Sequence, residues 1–222
     1  MIRDGTDSPL RETGCAGATW TLLLAHGAGQ GMDSPFMEGM AQSIVAAAEP
    51  RSTIRVVRFE FPYMARIRQL GRRRPPDREP VLRATFESVV NRVRASSVAT
   101  WLAVGGKSMG GRIASLVADE LGADALVCLG YPFHPSGRPE RLRTAHLGEL
   151  QTPTLICQGE RDPFGTRTEV AGYGLSRSIE LCWLQAADHD FRPRLETGRN
   201  QAQLIAEAAR AVARFLASVR HS

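Results

Sequence analysis

Short apolar runs of strand length recur along this 222-residue chain, and the stretches between them return their apolar residues at helical spacing. Trp20 to Ala25 is the first run, and it ends in the glycine-rich His26-Gly27-Ala28-Gly29. Ile54 to Phe59, Trp101 to Val104, Ala125 to Leu129, Thr154 to Cys157 and Ile179 to Leu184 follow. Ser34-Pro35 supplies an N-cap and a first-turn proline for a helix that carries Phe36, Met37, Met40, Ala41 and Ile44. Leu82, Phe86, Val89, Val90 and Val93 mark a second helix, Ile113, Leu116 and Val117 a third, and Leu204 to Leu216 a last one. Strands alternating with helices demand crossover connections. The expected fold is therefore a single α/β domain over residues 19–222, with a mainly parallel sheet of about six or seven strands covered on both faces. Residues 1–18 read as a poorly ordered lead or an edge strand, and the span Arg66 to Pro80 as a long basic loop.

Composition narrows the class. Hydrophobic residues make up 43% and charged residues 23%, the balance of a globular chain rather than a disordered one. The net charge of +5 is small and dispersed, too weak a pattern for nucleic acid, although Arg66, Arg68, Arg72, Arg73, Arg74 and Arg78 cluster. Lys107 is the one lysine. The four cysteines lack metal-site spacing and three sit in apolar runs, so they read as small hydrophobes. The polar N-terminus lacks the apolar stretch of a secretory leader, and no run is long enough to span a membrane. These features suggest a reduced, cytoplasmic protein with neither nucleic-acid nor membrane partners; they leave the oligomeric state open.

In a parallel sheet the loops leaving the strands' carboxyl ends gather along one rim, where ligands bind. His26, Ser108, Asp162 and His189 each follow an expected strand, so all four belong to that rim. Gly106-Lys107-Ser108-Met109-Gly110 fits G-x-S-x-G between a strand and a helix, the pattern of a serine held on a sharp turn with its hydroxyl raised above the sheet. A phosphate loop would need a glycine at position 101, which is Trp101. Service as a plain helix N-cap would leave the flanking glycines unexplained.

A serine hydroxyl becomes a useful nucleophile only beside a base that a carboxylate orients. Chains with this elbow supply the acid next and the histidine last. Asp162 in Gln158-Gly159-Glu160-Arg161-Asp162-Pro163 and His189 in Asp188-His189-Asp190 satisfy that order. Asp162 could instead cap a helix starting at Pro163, Glu160 competes as the acid, and His26, His134 and His146 also border strands. For the oxyanion of acyl transfer, the candidate donors are the backbone N–H groups of Met109 and Ala28.

The segments His26-Gly27-Ala28-Gly29, Gly105-Gly106-Lys107-Ser108-Met109-Gly110-Gly111-Arg112, Gln158 to Gly165 and Asp188-His189-Asp190 together resemble the α/β-hydrolases. The resemblance is to the branch related to dienelactone hydrolases, with NSL-complex subunit-3-like and testis-expressed hydrolase-like proteins as relatives. It implies Ser108, Asp162 and His189 as a catalytic triad. Dienelactone hydrolases proper carry cysteine at the elbow, where this chain has Ser108.

Residues 130–153 are too few for a helical cap domain, so an open or shallow pocket is expected. Tyr131 and Phe133 are candidates for an aromatic wall beside Ser108, and Lys107 for a substrate contact. The Arg66–Arg78 segment is a candidate for attracting an anionic group, or a merely solvated one. The reading is a serine hydrolase, esterase- or thioesterase-like, that acts through an acyl-enzyme on a small or polar acyl substrate without metal or organic cofactor. The alternative is a non-catalytic interaction protein on the same scaffold.

Overall fold

The computed structural model describes residues 8–50, 52–96 and 99–219. One seven-stranded sheet runs through it in the order β1-β3-β2-β4-β5-β6-β7. The strands are β1 (Leu10–Thr13), β2 (Trp20–Ala25), β3 (Ile54–Phe59), β4 (Trp101–Lys107), β5 (Ala125–Leu129), β6 (Thr154–Gly159) and β7 (Ile179–Leu184). Only β1 is antiparallel to its neighbour, pairing Leu10 with Phe59 and Thr13 with Val56. Within the lead segment, then, Leu10–Thr13 forms a border strand, while residues 1–7 lie outside the described residues.

Alternation along each strand divides the core into two layers. Leu22 and Leu24 of β2 face α1 (Pro35–Ala47) and α6 (Gln201–Val219), whereas Leu23 and Ala25 face the layer of α3 (Glu79–Ser96) and α4 (Met109–Val117). α1 begins where the Ser34-Pro35 pair places it, with the Ser34 hydroxyl accepting the Met37 N–H at 3.4 Å. α6 buries Leu204, Ile205, Ala208, Val212, Phe215 and Leu216 as its periodicity requires. Among the described residues no helix is long and apolar enough to cross a membrane.

The basic stretch differs from expectation. Pro62–Leu70 forms a helix, α2, and α3 already starts at Glu79, so the loop is confined to residues 71–78. Pro62 sets the first helical turn, Tyr63 and Met64 are buried, and Gly71 ends the helix in the left-handed conformation at φ 62°. The arginines also hold the structure together: Arg66 pairs with Asp77, while Arg68 pairs with Asp33 and with the fully buried Glu60.

Between β5 and β6 the chain forms only a short 3-10 turn, Ala145–Gly148, and no cap domain is inserted. The remaining helix, α5 (Arg167–Val170), starts in a capping box made by Thr166 and Glu169.

Candidate active site

The register of the parallel strands brings the turns together. Ala25 lies beside Gly106, Lys107 beside Leu129, and Gly159 beside Leu184, so the loops after β2, β4, β5, β6 and β7 leave from one edge. Ser108 occupies the turn from β4 to α4 with φ 51° and ψ −115°, a backbone that a side chain normally avoids, and its N–H donates to Leu129 O at 3.0 Å. Close packing holds this turn. A Cβ on Gly106 would lie 2.6 Å from Ala25 O, and one on Gly110 2.5 Å from the same oxygen and 2.7 Å from His26 O. The glycines on both sides of Ser108 are thus dictated by the strand that lies alongside.

His189 sits on the loop after β7. Phe191, with φ 60°, plugs that loop into the core against the ring of Phe36, and the Asp188 carboxylate accepts the N–H groups of Asp190 and Arg192, each at 2.9 Å. The imidazole bridges two side chains: Nδ1 is 2.7 Å from Asp162 Oδ2, and Nε2 is 2.9 Å from Ser108 Oγ. An ionised carboxylate can only accept, so Nδ1 carries the proton and Nε2 is left to accept the serine O–H. The ring of Phe164 packs against His189 at 4.5 Å.

Asp162 is fully buried. It caps no helix at Pro163, because the helix begins only after Thr166; its Oδ1 instead accepts Phe164 N–H at 2.9 Å within the turn. Glu160 faces elsewhere, accepting Ala186 N–H at 3.0 Å and pairing with Arg167 at 2.7 Å. The other histidines among the described residues are occupied too. His26 donates from Nδ1 to Gly27 O at 2.7 Å and accepts Phe61 N–H on Nε2 at 3.1 Å, which fixes it as the neutral ring, and burial pushes its pKa down. His134 engages Pro135 O, and His146 engages Ser115.

The loop after β2 is braced from behind. The Tyr63 hydroxyl lies 3.2 Å from Gly27 O and 3.0 Å from Ala28 O, so these carbonyls turn toward the buried phenol. In a trans peptide the N–H points opposite to the C=O. The Ala28 N–H therefore points away from Tyr63, and Ala28 lines the same cavity as Ser108. Met109 opens α4, so its N–H has no acceptor within the helix.

The cavity over Ser108 measures about 270 Å³, and Phe36, Met37 and Phe164 form its apolar side, with Gln30 and Ser34 adding polar atoms. Tyr131 and Phe133 do not form the wall expected of them. Gly130 takes the left-handed conformation at φ 67°, and both rings after it are fully buried, 4.9 Å apart, with Phe133 packed on Tyr173. Lys107 does line the cavity, but its ammonium is tied back: Nζ donates to His189 O at 2.9 Å and pairs with Asp190 at 3.4 Å. Burial pushes the Lys107 pKa down, and Asp190 opposes that shift. None of the clustered arginines belongs to the described lining of this cavity.

A family model described as an α/β hydrolase domain matches residues 18–217. The chain belongs to the α/β-hydrolase family. Solved structures place this α/β-hydrolase among similar folds. A dienelactone hydrolase from Anabaena variabilis is 21% identical at a TM-score of 0.70, covering 94% of this chain and 90% of that one. A serine hydrolase from Xanthomonas campestris, described as lacking a lid, is 20% identical at 0.68, covering 93% and 88%. Est1E from Butyrivibrio proteoclasticus, solved with ferulic acid, is 13% identical at 0.69, covering 95% and 96%. No functionally curated protein matches the chain.

Sequence reading overlooked Gln158, Tyr63 and Gly130. For Gln158 the signal was present: a long amide at the end of an otherwise apolar strand has to find partners once buried.

Proposed function

We propose that this α/β-hydrolase cleaves an ester, thioester or related acyl bond through a serine acyl-enzyme. One observation carries the reading: the His189 imidazole spans Ser108 Oγ and Asp162 Oδ2 at 2.9 and 2.7 Å. In the proposed reaction His189 Nε2 takes the hydroxyl proton as Ser108 Oγ attacks the carbonyl carbon, and Asp162 holds the ring and offsets its positive charge. The N–H groups of Met109 and Ala28 receive the negative oxygen of the tetrahedral intermediate. The intermediate collapses as His189 returns the proton to the leaving group; water, deprotonated by the same nitrogen, then attacks the acyl-enzyme, and the acid leaves as His189 passes that proton to Ser108 Oγ.

The small cavity with its Phe36 and Phe164 side supports a compact acyl group, and the short connection after β5 leaves its mouth open. The test is Ser108→Ala. It abolishes turnover of p-nitrophenyl and thioester substrates and abolishes labelling by a fluorophosphonate, while the circular dichroism spectrum is retained. Labelling that persists on another residue overturns the assignment.

A further inference from the structure

Gln158 occupies the last-but-one position of β6 and is completely buried, yet both ends of its amide have hydrogen-bond partners. Oε1 accepts the Tyr131 N–H at 2.7 Å. Nε2 faces three oxygens: Asp162 Oδ2 at 2.9 Å, Tyr131 O at 3.1 Å and Gly165 O at 3.2 Å. A main-chain N–H can only donate, so the atom opposite Tyr131 N must be the amide oxygen. That fixes the orientation of the amide. Its NH₂ end is the one turned toward Asp162.

The consequence lies in what surrounds the carboxylate. Oδ1 receives Phe164 N–H, and Oδ2 receives Gln158 N–H together with His189 N–H. The N–H groups of Phe164 and Gln158 can only donate, so these two fit the ionised carboxylate, and beside it His189 Nδ1 carries the proton. The same amide joins the turn after β5, where Gly130 abuts the His189 ring, to the turn after β6, which carries Asp162.

We propose that Gln158 is a positioning residue: its amide N–H aims Asp162 Oδ2 at His189 and keeps that carboxyl an acceptor. The inference rests on the serine-hydrolase reading above and extends it to a side chain that touches neither substrate nor Ser108.

Two variants and one measurement on the unaltered protein test it. Gln158→Met keeps the length and removes the donor; kcat falls about ten- to a hundredfold, the loss of a hydrogen bond to a charged group, while KM stays within about twofold. Gln158→Glu sets a second carboxyl against Asp162, so one proton is shared between them and the acid limb of the kcat/KM profile moves to higher pH. In the unaltered protein, the Gln158 side-chain amide resonances shift along the same titration that moves the His189 Nδ1–H resonance, whether or not a variant folds. Folded variants with the unaltered pH profile, or Gln158 resonances indifferent to that titration, overturn the proposal. A protein that turns over no acyl substrate instead sinks the hydrolase reading, and the resonance measurement still decides the role of Gln158 toward Asp162.

Discussion

Lys107, the residue before the elbow serine, holds the main-chain oxygen of His189 at 2.9 Å, a contact between residues 82 positions apart. One side chain thus ties the strand that presents Ser108 to the loop that presents the imidazole. Lys107→Met keeps the stem beside the Phe36 ring and drops the donor. We expect kcat on a p-nitrophenyl ester to fall about tenfold, with stability changed by less than about 1 kcal/mol, because the lost contact is offset by no longer burying an ammonium. Steady-state kinetics and urea unfolding check this; an unchanged kcat means that the loop holds His189 without the ammonium.

Gly130 makes a sharper test of how tightly the ring is placed. A Cβ there would come 3.3 Å from His189 Nδ1 and 3.1 Å from its carbonyl oxygen, at φ 67°. Gly71, at φ 62°, has open space around it. Alanine at either position costs about 1 kcal/mol for the left-handed backbone. Only Gly130→Ala is expected to lower activity as well, by roughly tenfold to a hundredfold for a displaced base. Equal activity in the two variants would show that the imidazole tolerates the crowding.

The backbone of Ser108 carries strain that its replacement inherits. Ser108→Ala retains a side chain at φ 51°, whereas Ser108→Gly relaxes it. The strain, about 1–3 kcal/mol, outweighs the extra freedom glycine gives the unfolded chain. Ser108→Gly should therefore unfold at higher denaturant than Ser108→Ala, by about 1 kcal/mol in free energy. The reverse order would place the strain elsewhere.

Acid should weaken the fold before the carboxylates titrate. Burial lowers the pKa of both His26 and His146 from the ordinary 6.5. Above that pH both rings are neutral in either state; as pH falls below it the unfolded chain takes up protons first, so stability drops until the depressed folded-state values are reached. Each ring contributes at most about 1.4 kcal/mol per pH unit in that window. Unfolding free energies measured from pH 7.5 to 5 should show this slope, and His146→Gln should reduce it. A slope unchanged by that substitution would assign the acid sensitivity to other groups.

The features legible in the sequence were local ones. Apolar runs gave the strands, Ser34-Pro35 gave the start of α1, and the glycines around Ser108 gave a turn that the backbone contacts of Gly106 and Gly110 explain. α2 was not legible, because Arg66 and Arg68 assign its second half to the basic stretch; Pro62 and Gly71 delimit the helix and Tyr63 and Met64 dock it. Tyr131 and Phe133 misled because an aromatic pair after a strand reads alike whether it lines a cleft or packs in the core, and here both rings are buried in the core. The Gln158 and Lys107 contacts join loops distant in sequence, and periodicity cannot reveal such pairs.

The bare connection between β5 and β6 governs what kind of molecule this cleft can serve. In the proposed reaction, with no cap domain inserted after β5, only the portion of a substrate seated against Phe36 and Phe164 must be small. In that proposed reaction the departing portion would extend past the uncapped mouth, where a slender alcohol and the end of a long polymer would meet the same doorway.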